Sequence, residues 1–167
     1  MHPTLSHHGD LASDPLAPRD VGIVLDNARA LQRAADAGQL RALLRGRKLG
    51  LLCEADDDDE AVLFCRAAEE LGAHVAHIRP SLTALTPPQE VRHTSRMLGR
   101  LYDAVECQGM SAALVHQMGV DAGIPVFDGV ASHTHPTARL ADLIAGGASQ
   151  LDKRCIVVQA VLLSTIN

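Results

Sequence analysis

Tryptophan is absent from the 167 residues, and only one tyrosine and two phenylalanines are present, so aromatics make up 2% of the chain. Without large rings, a core must be filled by Ala, Leu and Val, which suits helices packed on a buried parallel sheet. Hydrophobic residues still reach 47%, enough to exclude a disordered chain. Positive charge is also scarce: 15 Lys and Arg face 20 Asp and Glu, for a formal net charge of -5. That balance argues against nucleic acid and against anionic membrane surfaces as partners. No apolar run reaches transmembrane length, and no basic-then-apolar leader opens the sequence. The four cysteines (Cys53, Cys65, Cys107 and Cys155) form no CxxC pair and no zinc spacing. Buried, reduced thiols and a cytoplasmic location are therefore expected. GxSxG, GxGxxG and P-loop motifs are all missing, so no nucleophile arrives with its base.

The segments that are present alternate in type. Residues 1–20 hold Pro, Ser, Gly and His without periodicity and are expected to be a flexible tail. A metal site built on His2, His7 and His8 is the sharper alternative there. Val24, Ala28, Leu31 and Ala35 keep helical spacing, and Leu40, Leu43 and Leu44 resume after Gly38, so one or two helices fit residues 21–44. Strands are expected at Lys48–Cys53, Ala73–Ile78, Ala104–Cys107 and Ile124–Phe127. Helices are expected after Glu60 to Leu71, over Glu90–Tyr102, Ser111–Met118 and His135–Ile144. The inner face of the Glu90–Tyr102 helix is expected to be Val91, Thr94, Met97, Leu98 and Leu101. Asp152–Ile166 reads as a buried helix, although its β-branched residues leave a strand conceivable. The order implies right-handed βαβ crossovers and an α/β fold, three layers α/β/α around a four-stranded, doubly wound parallel sheet.

In such sheets ligands bind beyond the carboxyl ends of the strands. Here those ends are Glu54–Glu60, the loop after Ile78, the segment near Gln108, and Asp128–Pro136. The first of them carries six carboxylates in seven residues. Helix N-caps and first turns favour such residues by about 0.3–1 kcal/mol each. A divalent-cation site on Asp56–Glu60 and a surface for a basic partner are the alternatives, but EF-hand spacing and a glycine turn are lacking. His133 and His135 form an HxH pair, and a zinc site with Asp128 is conceivable beside a structural role. The weak metal candidates are Asp56, Asp58 and His133; no metal and no cofactor is expected. His74 and His77 are an odd number apart on a strand and make a poor metal pair.

Several stretches together resemble ornithine carbamoyltransferase. Met97–Gly109 (MLGRLYDAVECQG), preceded by Thr94-Ser95-Arg96, is similar to the family's helix and strand ending in Tyr-Arg-Gly. Ile124–Leu143 (IPVFDGVASHTHPTARLADL) is similar to the segment containing its His-Pro-Thr-Gln motif, and Gly72–Ser81 (GAHVAHIRPS) to its second strand. Lys153–Ile166 (KRCIVVQAVLLSTI) resembles the family's C-terminal helix. The resemblance implies a single carbamoyl-phosphate-binding-like domain over residues 21–167, with 150–166 as that terminal helix and the ornithine-binding domain between them absent. It further implies a homotrimer built through this domain, or a mixed trimer with a genuine carbamoyltransferase.

The family grips carbamoyl phosphate with a Ser-Thr-Arg-Thr-Arg loop at a helix N-terminus, where backbone N–H groups and the helix dipole favour an anion. Counting back from Leu71-Gly72, that loop falls on Asp57, Asp58, Asp59, Glu60 and Ala61. The next phosphate-site arginine falls on Gln108. His135, Pro136 and Thr137 are kept, but the motif's glutamine is Ala138, the family's asparagine is Asp128, and the loop lent to a neighbouring subunit runs Ala84-Leu85-Thr86-Pro87-Pro88. Two like charges about 5 Å apart repel by about 3 kcal/mol at an effective dielectric of about 20, so phosphate is disfavoured there. The resemblance therefore implies an inactive binding, regulatory or structural module with a degenerate carbamoyl-phosphate site. A residual or altered carboxyl- or carbamoyltransferase-type enzyme, holding an unknown small ligand near His135 and Thr137, is the alternative.

Overall fold

The computed structural model describes residues 18–166. The expected tail therefore lies outside the described residues up to position 17, with His2, His7 and His8. Residues 18–20 are helical, because α1 spans Pro18–Asp36 and starts earlier than the apolar pattern alone suggested. Proline suits a first helical turn, where its missing N–H has no partner to lose. The resumed apolar spacing at Leu40–Leu44 does not form a second helix. That stretch is a series of turns, and Leu44 is buried while its N–H donates to the Leu71 carbonyl at 2.8 Å.

The rest alternates as expected: β1 Lys48–Leu52, α2 Asp59–Glu70, β2 His74–Ile78, α3 Pro88–Leu101, β3 Ala104–Cys107, α4 Ala112–Ala122 and β4 Val126–Asp128. A 3-10 turn then covers Ala138–Leu143, where a longer helix from His135 was expected, and α5 spans Gln150–Thr165. Ser149 caps α5 by accepting from the Asp152 N–H at 3.1 Å. α5 is a helix and not a strand; nine of its residues, including all from Val157 to Ser164, are buried.

All four strands are parallel, in the order β2-β1-β3-β4. Their side chains alternate between two cores. Leu49, Leu51, Ala104 and Phe127 face a cluster supplied by α1, α2, the 3-10 turn and α5. Leu52, Val105 and Cys107 face a smaller cluster with Val91, Leu98, Val115 and Met118 of α3 and α4. The chain leaves β1 for α2 on the first face and leaves β3 for α4 on the second. The carboxyl ends of these adjacent strands therefore diverge, opening the crevice in which doubly wound sheets hold ligands.

α3 turns differently from its sequence pattern. Val91, Ser95 and Leu98 are buried, whereas Met97 and Leu101 are 46% and 55% exposed. The rotation follows from close approach to α4 at Gly99, where a Cβ would lie 2.1 Å from the Ala122 carbonyl oxygen. Gly99→Ala should cost at least about 1–3 kcal/mol in denaturant unfolding. Gly119→Ala on α4, whose Cβ would meet Val126 at an ordinary 3.8 Å, should be neutral or stabilising by up to about 1 kcal/mol. Equal losses in the two variants would rule out this packing account.

Candidate functional site

The acidic run emerges directly from β1. Asp58 takes the N-cap position of α2, and Asp59 and Glu60 lie in its first turn. The Asp58 side chain makes no capping hydrogen bond, although its carbonyl accepts from the Val62 N–H at 2.9 Å. The carboxylates thus meet the helix dipole as exposed charges rather than as hydrogen-bonded caps. Ala61, the fifth position of the degenerate loop, is fully buried in the larger core.

Three of the four strand-end stretches converge. The Gln108 N–H donates to the Leu52 carbonyl at 2.9 Å, which sets the β3 exit against the β1 exit. The Gly129 N–H donates to the Cys107 carbonyl at 2.9 Å, which fixes the start of the next loop beside them. His133 Nδ1 lies 3.8 Å from Glu60 Oε1, joining that loop to the start of α2. The fourth stretch, after Ile78, instead lines a surface depression of about 420 Å³ with Gln89, Glu90, His93 and Thr94 of α3.

The His-Pro-Thr turn is held internally. His135 and Thr137 are buried, and the Thr137 backbone N–H donates to His135 Nδ1 at 3.2 Å, with Thr137 Oγ1 2.7 Å from the same nitrogen. An Nδ1 that accepts places the proton of a neutral ring on Nε2, so the ring presents a donor on its far side. Ala138 follows at the start of the 3-10 turn and offers no polar group there.

The metal candidates are not assembled. Among the described residues no three His, Cys, Asp or Glu side chains form a set that could hold an ion, so Asp56, Asp58 and His133 do not act together. His133 meets Glu60 instead. Nor does Asp128 complete a zinc site; its carboxyl is half-buried, and that burial raises its pKa. Cys53, Cys107 and Cys155 are buried free thiols as expected, but Cys65 is only partly buried, with Sγ 3.4 Å from His77 Nε2. Burial, then the Glu69 carboxylate, push the Cys65 thiol up to about 11, so this pair does not supply a thiolate nucleophile at neutral pH.

In the sequence Glu106 carries no signal of its own, being one polar residue within a short strand. It is fully buried, and its two carboxyl oxygens accept from the Val130 N–H at 3.1 Å and the Ala131 N–H at 3.3 Å. Arg154 of α5 donates to the Ala131 carbonyl at 2.6 Å, so the same loop is gripped from both sides. Burial raises the Glu106 carboxyl to about 8 despite the opposing effect of these backbone donors. Other polar ties hold α5 in place. Arg66 of α2 bridges Glu70 at 2.9 Å and Asp152 at 2.7 Å, Gln159 donates to Glu70 at 2.9 Å, and Asn27 of α1 donates to Ser164 at 2.9 Å.

A four-stranded parallel sheet in the order β2-β1-β3-β4, wound on both faces, defines the α/β class of domain that holds its ligands beyond the carboxyl ends of the strands. Residues 11–145 match the model of the aspartate/ornithine carbamoyltransferase carbamoyl-phosphate-binding domain, and the chain belongs to that family. It is 36% identical over 126 residues to ornithine carbamoyltransferase of Actinobacillus pleuropneumoniae serotype 5b, covering 75% of this chain and 38% of the relative. A catabolic ornithine carbamoyltransferase of Chromobacterium violaceum is 35% identical over 128 residues, with 76% and 38% covered. The chain thus spans under two-fifths of these relatives' length. Ornithine carbamoyltransferase from Gloeobacter violaceus superposes with a TM-score of 0.60 at 30% identity, covering 80% of this chain and 42% of that one. The enzyme from Burkholderia thailandensis, at 20% identity and a TM-score of 0.67, matches in fold. No helix of the described residues is long and apolar enough to cross a membrane.

The raised Glu106 pKa has a definite sign. The folded state holds this proton more tightly than the unfolded chain does. Its contribution is therefore complete below the unfolded value of 4.5 and is lost as pH rises towards about 8. Unfolding free energy should fall across that window by up to about 1.4 kcal/mol per pH unit from this group. Glu106→Gln should flatten the slope, and an unchanged slope in paired denaturant titrations at pH 5 and pH 8 would refute the assignment.

Proposed function

We propose that this protein is a non-catalytic member of the carbamoyltransferase family, a binding or regulatory module whose carbamoyl-phosphate site is degenerate. The observation that carries the reading is the run Asp57-Asp58-Asp59-Glu60 at the N-terminus of α2, where an anion would otherwise meet the helix dipole. Neutral Gln108 at the β3 exit, in the place the resemblance gives to a second guanidinium, works in the same direction. The packing of α5 over α1 and α2 supports its assignment as the family's terminal helix, returned directly to this domain without an ornithine-binding domain between. We further propose a cytoplasmic homotrimer built through this domain, or a mixed trimer with a catalytic relative.

One observation favours residual ligand binding. His135 and Thr137 are buried and hydrogen-bonded to each other, and the loop before them is held at Ala131 by Glu106 and Arg154, as a site retained for a small molecule would be. It is compatible with loss of phosphate chemistry, since no residue of the turn supplies a positive charge to replace the arginines.

Calorimetric titration of the full chain with carbamoyl phosphate should give no saturable isotherm, and incubation with carbamoyl phosphate and ornithine should give no citrulline. A saturable isotherm or measurable citrulline would overturn the reading.

A further inference from the structure

Gln108 is 7% exposed, and neither its Oε1 nor its Nε2 has a hydrogen-bond partner. A buried carboxamide with both ends unsatisfied costs stability, and such groups call for a physical reason. Its position in the sheet supplies one. Leu52 pairs in register with Cys107, so the next pair, Cys53 and Gln108, falls on the opposite side, the face covered by α2. Glu106, two residues earlier on the same face, points to the loop at Val130 and Ala131. Gln108 is therefore the next side chain outward, at the crevice where the chain leaves β1 and β3 for opposite faces. The acidic run begins immediately after its neighbour Cys53. Its field reaches that neighbour: after burial itself, Asp56, Asp58 and Glu54 hold the Cys53 thiol above its ordinary range.

We propose that this crevice takes a cationic primary amide, whose carboxamide pairs with that of Gln108 and whose positive charge lies among the carboxylates of Glu54, Asp56, Asp57 and Asp58. The chemistry follows from the two unsatisfied atoms. Nε2 needs an acceptor and Oε1 a donor, side by side, and a primary amide or ureido group presents both. An anion is repelled by the acidic run, and a bare ammonium leaves Nε2 unsatisfied. Both atoms are sealed from solvent, so entry requires the loop after β1 to shift. That loop's side chains are exposed, and the Asp58 side chain does not cap α2. The inference rests on the loss of phosphate binding proposed above, and names what the altered site accepts in its place.

The probe is glycinamide, with ethylamine as the ammonium lacking an amide and acetamide as the amide lacking charge, titrated into the isotopically labelled full chain by NMR. Glycinamide should saturate, with shifts at Cys53, Gln108 and Gly129–Ala131, and ethylamine should bind at least tenfold more weakly. Gln108→Leu and Gln108→Met should each weaken glycinamide at least tenfold while melting no lower than wild type, since each removes an unsatisfied buried amide. Asp56→Asn with Asp57→Asn and Asp58→Asn should weaken glycinamide at least fivefold and abolish its salt dependence, leaving acetamide unchanged. Failure of glycinamide to saturate the wild type would overturn the proposal, as would unchanged binding in both Gln108 variants; the latter would make Gln108 a core residue paired with water. Saturable binding of carbamoyl phosphate in the parallel titration would overturn the loss-of-phosphate reading instead, so the two failures are separable.

Discussion

A sheet made only of parallel strands has no face it can leave to water, and that requirement organises this molecule. The β1–β4 sheet is clothed on one side by α3 and α4 and on the other by α1, α2 and α5. The second side is the more demanding, because short aliphatic residues such as Ala28, Ala67, Ala68 and Ala160 bring the helices close. Close helices leave little room for unpaired polar groups. The polar atoms admitted to this layer are accordingly paired: Asn27 with Ser164, and Gln159 with Glu70. Glu106 follows the same rule at the sheet's carboxyl end, where its oxygens accept the backbone N–H groups of the next loop. Gln108 breaks the rule, in the one place where a doubly wound fold opens to a ligand.

The acidic segment can be understood against the same background. A helix N-terminus carries partial positive charge, which can be met by a bound anion or by carboxylates of the chain itself. Here Asp59 and Glu60 occupy the first turn, and Glu60 also comes within 3.8 Å of His133. That partial charge is thus met by carboxylates of the chain itself. The loop that would lie over such a ligand is tied to the scaffold by Glu106 on one side and Arg154 on the other. A helix terminus and a loop held in this way form a scaffold whose geometry does not by itself dictate the chemistry it serves.

Much of the fold was legible in sequence because it is written in short-range periodicity. The four strands, the helical character of α5 and the stop at Gly72, whose φ is 86°, all follow from local pattern. Features that depend on distant partners were not legible. Met97 and Leu101 have the right spacing for a core face, yet the approach of Ala122 to Gly99 turns the helix and exposes them. Leu40–Leu44 has helical spacing but forms turns that dock Leu44 on the Leu71 carbonyl. Of the candidate site, the placement of Asp57–Glu60, Gln108 and His135 after the carboxyl ends of their strands was readable from topology and resemblance. The role of Glu106 was not, because nothing in a four-residue strand tells which loop its carboxylate will meet. An orphaned carboxamide such as that of Gln108 likewise has no sequence signature.

The hydrogen bond from Asn27 to Ser164 spans 137 residues of chain, and Arg66 to Asp152 spans 86. Helix α5 is thus a keystone set from the far end of the sequence. Loop-closure entropy must be met before the α2 side of the sheet is sealed, and such non-local closure slows folding. During synthesis, β1 and α2 leave the ribosome long before their covering helix exists, so Leu49, Leu51 and Phe64 wait unprotected. The layer that makes the finished molecule compact therefore also makes its nascent form dependent on what shields those residues in the interval.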